Sequence, residues 1–278
     1  MALERIPGEL VARGTRSSIR AYGPGAVVKV PHPSTPDGWI EWEAQYAEDV
    51  GAVGAPVPRL IGIERLSGRA ASVWERIDGS SMWRHVIDRP DQSPELGHML
   101  AEVQRALFEL VPPVTLPRQR DRLLTKIRTS AATVDASLIR AIDLIPASVG
   151  AARLCHGDLH PSNVILSDSG PVIVDWFDAS RGDPLADVAR TSMTLLSDGA
   201  TPPRHLPGAD IETLATLTEA YVAQLRAQLE FADAELAQWE AIQAVARIAE
   251  GVPRRPLLEV WRRFEGTETQ AAVQSAAN

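Results

Sequence analysis

Three oxygen-bearing side chains and one ammonium stand out for what they could do together. Residues 154–176 read Leu-Cys-His-Gly-Asp-Leu-His-Pro-Ser-Asn-Val-Ile-Leu-Ser-Asp-Ser-Gly-Pro-Val-Ile-Val-Asp-Trp. Two short apolar runs, Val164–Leu166 and Val172–Val174, are joined by the polar turn Ser167–Pro171, the pattern of two strands in a tight hairpin. Asp158 and Asn163 precede the first run and Asp175 directly follows the second, so the hairpin gathers three oxygen donors at one end. Such a trio suits phosphoryl transfer: one carboxylate orients a hydroxyl and takes its proton, while hard oxygen ligands hold magnesium. The ammonium is Lys29. The chain writes its positive charges almost wholly as arginine and holds only two lysines, Lys29 and Lys126. A compact ammonium inside the β-branched run Val27-Val28-Lys29-Val30 suits a task that a planar guanidinium cannot perform.

Two motifs in this order resemble a known family. His156-Gly157-Asp158-Leu159-His160-Pro161-Ser162-Asn163, followed by Val172-Ile173-Val174-Asp175-Trp176, resembles the aminoglycoside phosphotransferase family, the small-molecule branch of the protein-kinase-like fold. The spacing from Asp158 to Asn163 also matches the kinase catalytic loop. Ordinary protein kinases differ in carrying Arg where Gly157 stands and Phe-Gly where Trp176-Phe177 stands. The resemblance implies an α+β, bilobal protein-kinase-like fold. Residues 1–78 would form a small antiparallel-sheet lobe that binds nucleotide, and 79–278 a larger, mainly helical lobe for catalysis and substrate. It implies Asp158 as the catalytic residue, Asn163 and Asp175 as Mg2+ ligands, and ATP or GTP as phosphate donor.

Lys29 would then hold the nucleotide's phosphates, braced by a carboxylate from the helix Asp37–Val50. Family members carry a glutamate about this far ahead of a Pro-x-Pro, here Pro56-Val57-Pro58, which favours Glu43; Glu41 is the alternative in register. The stretch Val73-Trp74-Glu75-Arg76-Ile77-Asp78-Gly79 resembles the family's connector between lobes, with backbone groups at Glu75 and Ile77 meeting the purine. His156 would support the loop, and His160, nearer the site, is a weaker candidate for phosphate contact. Asp187, an acid in an apolar segment, would support the catalytic loop from behind.

The elements that must position these groups follow from pattern. Glu9–Arg13, Ser18–Tyr22 and Ala26–Val30 form three short strands, with turns at Gly14–Ser17 and Gly23-Pro24-Gly25. The small residues of the first turn, Ser17 among them, would let amides and hydroxyls approach phosphate. In the helix after Asp37, Trp39, Trp42, Tyr46 and Val50 recur on one apolar face. Arg59–Leu66 and Arg69–Ile77 form another strand pair. Beyond Gly79 the chain is helical over Pro94–Leu110, twice within Arg118–Ile145, from Asp183-Pro184 to about Ser197, and over Ala209–Phe231, Ala234–Glu250 and Arg255–Phe264. The tail from Gly266 is expected to fray, and Lys126 is expected to be a solvated charge.

Size and composition narrow the field. With 278 residues, 45% hydrophobic and 23% charged, the chain can build two substantial cores. No apolar run approaches the ~20 residues of a membrane span, and no signal-like segment opens the chain, so a cytoplasmic protein without membrane partners is expected. The single Cys155 forms no internal disulfide and is expected to be a buried structural residue. A net charge of −8 argues against nucleic acid as partner and would suit a cationic small-molecule acceptor. Asp198, Asp210, Glu219, Asp233, Glu240 and Glu250 could meet such an amine, and Trp83, Trp239 and Trp261 could stack on a ring or fill the core; solvated helix faces and core packing are the plainer alternatives. The family also phosphorylates sugars and amino alcohols. A non-catalytic nucleotide-binding scaffold is disfavoured by the intact set Lys29, Asp158, Asn163 and Asp175. Sequence leaves open the acceptor, the purine and the oligomeric state.

Overall fold

The computed structural model describes residues 7–147, 150–195 and 208–277, without the side chains of 268–277. Alternating small and β-branched residues near the N-terminus make β1 (Leu10–Arg13), β2 (Ser17–Ala21) and β3 (Ala26–Pro31). Helix α1 (Asp37–Ala52) follows, and then the hairpin of β4 (Leu60–Leu66) and β5 (Arg69–Glu75). The five strands form one antiparallel sheet in the order β1-β2-β3-β5-β4. Successive strand residues face opposite sides. Val28 therefore joins Tyr22, Ala26, Leu66, Ala71 and Val73 in one small core, whereas Lys29 points the other way, toward α1. Its strand is central, paired with Ile19 on one side and Ser72 on the other, so Lys29 does not guard a sheet edge.

Helix α1 buries part of the face expected of it: Val50 is in the core and Tyr46 packs against it, but Trp42 is not. Ile40, Glu43, Ala44, Ala47 and Val50 are buried, while Trp42 is 55% exposed. Alanines close to the sheet set the inward stripe here, and the larger indole falls outside it. Strand β2 begins one residue earlier than expected, at Ser17. That residue is nearly buried, and its carbonyl closes the turn by accepting from Gly14 N at 2.9 Å.

After this sheet come β6 (Gly79–Ser81), α2 (Met82–Asp88), α3 (Ser93–Phe108) and α4 (Gln119–Thr133), then a 3-10 segment over Ala136–Ile142. Next are β7 (Arg153–Cys155), β8 (Val164–Ser167), β9 (Gly170–Ile173) and β10 (Ser180–Gly182). The hairpin of β8 and β9 pairs with β6, and β7 pairs with β10. Helices α5 (Pro184–Leu195), α6 (Ile211–Leu229), α7 (Asp233–Ile248) and α8 (Arg254–Ala277) complete the chain. Asp183 caps α5 by accepting from Leu185 N at 2.8 Å, ahead of Pro184. The C-terminal end corrects the expectation of a frayed tail, since α8 continues to Ala277. Past Gly266 that stretch is rich in Ala and Gln, which are good helix formers, and has no proline to stop it.

α3 packs on α6, α5 on α7, and α7 on α4 and α8. Trp83, Trp239 and Trp261 belong to the core these helices enclose. Every residue of α5 from Leu185 to Leu195 is buried. Asp187 and Arg190 lie within that stretch, and buried charges require partners. The result is an α+β, bilobal architecture: a small sheet lobe with α1, and a larger helical lobe carrying the hairpin. Among the described residues no helix is long and apolar enough to cross a membrane.

Candidate active site

The site forms where the small sheet meets the hairpin. Lys29 Nζ is 2.6 Å from Glu43 Oε1 and 3.0 Å from Asp175 Oδ1. Strand β3 supplies the lysine, α1 the glutamate and the segment after β9 the aspartate, 146 residues further along. Glu43 is the carboxylate of α1 that reaches Lys29; Glu41 instead lies 3.6 Å from Arg65. Burial pulls the Lys29 ammonium down, but Asp175 and Glu43 outweigh it and hold its pKa above the usual lysine range. Burial pushes Glu43 up, to about 7, against the pull of Lys29.

The loop from His156 to Asn163 is held from behind by one carboxylate. Asp187 accepts from His156 N at 3.0 Å, Gly157 N at 2.8 Å and Gln104 Nε2 at 2.9 Å. Gln104 in turn accepts from the Tyr221 hydroxyl, tying α3 and α6 to the loop. Burial raises the Asp187 carboxyl, opposed by these donors. Gly157 has φ of 81°, and a Cβ there would come within 2.3 Å of Asp178 O. An arginine at this position would collide with backbone, which explains in local terms the departure from the protein-kinase pattern. His156 is fully buried; its Nδ1 accepts from Asp158 N at 3.2 Å and its Nε2 faces Val174 O at 3.1 Å. Those partners fix the Nε2–H tautomer, so the ring clips the loop to the end of β9.

Asp158 and Asn163 leave this loop on the side of the cleft. Asn163 Nδ2 donates to Asp158 O at 3.0 Å and faces His160 Nε2 at 3.2 Å, so both amide hydrogens are engaged within the loop. Asp175 stands in the left-handed region, φ 67° and ψ 61°, uncommon for a residue with a side chain. Strain of about 1–3 kcal/mol is stored at such positions, and they cluster where geometry must be fixed. The Asp175 side chain remains 47% exposed. A half-exposed carboxylate 3.0 Å from Lys29 Nζ, with Asn163 tied to the adjoining Val174 amide through its backbone carbonyl at 3.0 Å, offers the hard oxygen donors that suit Mg2+, which takes one or two protein oxygens and completes its shell with phosphate and water. Among the described residues no cluster of three or more His, Cys, Asp or Glu could hold a metal unaided.

Two features escaped the sequence. Trp39 of α1 lies 4.8 Å from Phe177, with the Arg16 guanidinium over both rings, so aromatic packing joins the two lobes beside Asp175. Beneath Asp158 there is a buried charge network. Arg190 Nη2 binds Asp158 Oδ1 at 2.9 Å, and its Nη1 binds both Glu250 oxygens at 2.8 Å. Lys126, expected in solvent, instead binds Asp178 at 3.0 Å and Glu250 at 2.8 Å. Burial would raise the Asp158 carboxyl, but the Arg190 guanidinium outweighs it and holds that pKa far below the usual range. The signal available in sequence was Arg190 itself, a lone cation amid the apolar residues of α5.

Glu75 Oε1 accepts from Arg59 N at 2.8 Å, and the amides of Glu75 and Arg76 donate to Arg59 O and Gly25 O. Ile77 is half-buried at the end of this segment. His160 is buried, its pKa lowered by burial. Of the acids considered for amine binding, Asp210 caps α6, Asp233 pairs with Arg226, Glu240 accepts from Ser192 at 2.6 Å and Glu219 is exposed. Asp198 lies outside the described residues.

A central-strand lysine clamped between a helix glutamate and the aspartate after a catalytic-loop hairpin defines a protein-kinase-like fold with the donor set of phosphoryl transfer. The chain belongs to the phosphotransferase enzyme family, whose model matches residues 13–205. Solved structures agree on the fold. An aminoglycoside-3'-phosphotransferase of type VIII superposes with a TM-score of 0.61 at 20% identity, covering 87% of this chain and 93% of its own. A choline/ethanolamine kinase family protein from Mesorhizobium loti gives 0.57 at 15%, covering 94% and 87%. A thermostable mutant of aminoglycoside phosphotransferase APH(4)-Ia, in ternary complex with ADP and hygromycin B, gives 0.62 at 14%, covering 93% and 92%. No curated protein matches.

Proposed function

We propose that this protein is a Mg2+-dependent kinase of the cytoplasm that moves the γ-phosphoryl group of ATP or GTP to a hydroxyl of a small molecule. One observation carries the reading: Lys29 Nζ sits within 3.0 Å of both Glu43 and Asp175 carboxylates, so the two lobes present their charged groups to one cleft. Residues 1–78 bind the nucleotide and 79–278 carry catalysis and acceptor. Lys29, braced by Glu43, takes the phosphates; the turn before Ser17 approaches them with its amides. Backbone groups of Glu75 and Ile77 meet the purine. Asn163 and Asp175 would hold Mg2+, which when bound would supply charge neutralisation. Asp158 orients the acceptor hydroxyl and takes its proton as the new bond forms; for a carboxylate held so acidic, orientation dominates and the proton moves late, as a loose transition state allows.

The acceptor is a hydroxylated amine, in the first place an aminoglycoside or other antibiotic. Supporting this are the family and the neighbour solved with hygromycin B. An amino alcohol is the second reading, favoured by the choline/ethanolamine kinase family neighbour. The test is a screen of aminoglycosides, amino alcohols and sugars for phosphate transfer from ATP and GTP. Transfer to one class, lowered about 100-fold or more in Asp158→Asn, is the expected result. Nucleotide binding without transfer or hydrolysis under any condition would leave a scaffold, not a kinase.

A further inference from the structure

We propose that Arg190 is a positioning residue for Asp158 and that Glu250 anchors Arg190 in turn; this rests on the role given to Asp158 above. The guanidinium is a planar fork, and here both tines are occupied. One nitrogen takes Asp158 Oδ1 at 2.9 Å, the other takes both oxygens of Glu250 at 2.8 Å. The Arg190 side chain is 7% exposed and Glu250 12%, whereas Asp158 keeps 29%. Asp158 therefore has one oxygen pinned from the protein side, while its other oxygen lies 4.0 Å from His160 Nε2, an imidazole that burial keeps from charging. A carboxylate held by one oxygen loses its freedom to rotate and presents the other in a fixed direction, as hydroxyl alignment requires.

Glu250 fixes the far end. It lies just past α7 and binds Lys126 of α4 as well as Arg190 of α5, so three helices agree on where the guanidinium sits. Without Arg190, Glu250 would keep Lys126 at 2.8 Å and Arg247 at 3.8 Å, whereas Asp158 would lose the cation bonded to its Oδ1. Lysine could replace the charge but not the geometry, because one ammonium cannot bind three carboxylate oxygens in a plane.

The test uses the full chain with Mg2+ and ATP or GTP, water serving as acceptor, together with nucleotide affinity measured by a fluorescent ATP analogue. Arg190→Met should lower kcat about 10–100-fold, the scale of an ångström-level misplacement, with nucleotide affinity within about 3-fold of wild type. Arg190→Lys should recover only part of that loss. In an Asp158→Asn background the same change should add less than about 2-fold, since the arginine acts through the group already removed. If Arg190→Met does not fold by circular dichroism, Glu250→Gln carries the test, with a kcat loss of about 3–10-fold at retained nucleotide affinity. Wild-type kcat in the folded arginine variant, or in Glu250→Gln where that one fails, overturns the proposal; so does a loss that multiplies fully with Asp158→Asn. Should Asp158→Asn itself keep wild-type turnover, the role of Asp158 fails first; its loss with Arg190→Met unaffected sinks only the positioning role.

Discussion

Replacing Asp187 should damage stability and turnover together while sparing the nucleotide. Its carboxylate receives three buried donors, from His156 N, Gly157 N and Gln104 Nε2. Asp187→Ala leaves all three without their acceptor. At about 1–3 kcal/mol for each unsatisfied buried group, the loss is at least about 3 kcal/mol, against the roughly 5–15 kcal/mol that holds a typical domain folded. Asp187→Asn keeps the volume but turns an amide N–H toward a donor, and should cost about 1–3 kcal/mol. Urea titration followed by tryptophan fluorescence measures both, as a lower midpoint at unchanged slope. The loop that carries Asp158 loses its rear support, so kcat should fall about 10-fold or more. Nucleotide affinity should stay near wild type, because Lys29, Glu43 and Asp175 do not touch Asp187. An Asp187→Ala protein that unfolds at the wild-type urea midpoint would refute this account of the loop.

Further outcomes follow from the same geometry. Burial would raise the Glu250 carboxyl, but Arg190, Lys126 and Arg247 hold it down at about 2, against an ordinary 4.5. A depressed carboxyl stabilises the fold above its unfolded value and loses that contribution as pH falls through the folded one. About 3 kcal/mol should therefore disappear between roughly pH 5 and 2, at 1.36 kcal/mol per pH unit of difference. Glu250→Gln should flatten that acid limb in urea titrations; a variant with the same acid loss as wild type would contradict the assignment. Cys155 is fully buried and burial pushes its thiol up, so a chromogenic thiol reagent should react at the global unfolding rate, and prompt labelling of native protein would show the packing to be wrong. Lys29→Met should weaken ATP or GTP binding about 10-fold or more by equilibrium titration, and unchanged affinity would remove the lysine from the phosphate site.

Lys29 and Asp175 stood out in sequence by local pattern, a β-branched run and a hairpin end, whereas Glu43 was favoured over Glu41 only by the resemblance, through its distance ahead of Pro56-Val57-Pro58. Asp187 was readable for a related reason, an acid where only apolar residues belong. The Arg190 network was not, since its members lie 32 and 60 residues from one another and nothing local sets Lys126, Glu250 and Asp158 side by side. Lys126 looked solvated because its own helix is polar; only the packing of α4 against α7 reveals its partners. Trp42 shows the opposite error, where hydrophobic bulk suggested burial but small alanines made the closer contact. The wall that selects the acceptor is written in no motif, and Asp198, considered for it, lies outside the described residues.

Phosphorus NMR of ATP or GTP with Mg2+ and the full chain tests the central claim most directly. Wild-type protein should convert the γ-phosphate resonance to inorganic phosphate in water, or to a monoester when an acceptor is added, and Asp158→Asn and Asp175→Asn should both leave nearly all of the triphosphate over the time wild type takes to consume it. Conversion that persists in both variants, or a triphosphate that neither binds nor changes with wild type and Mg2+, would mean that the cleft between Lys29 and Asp175 does not transfer phosphate.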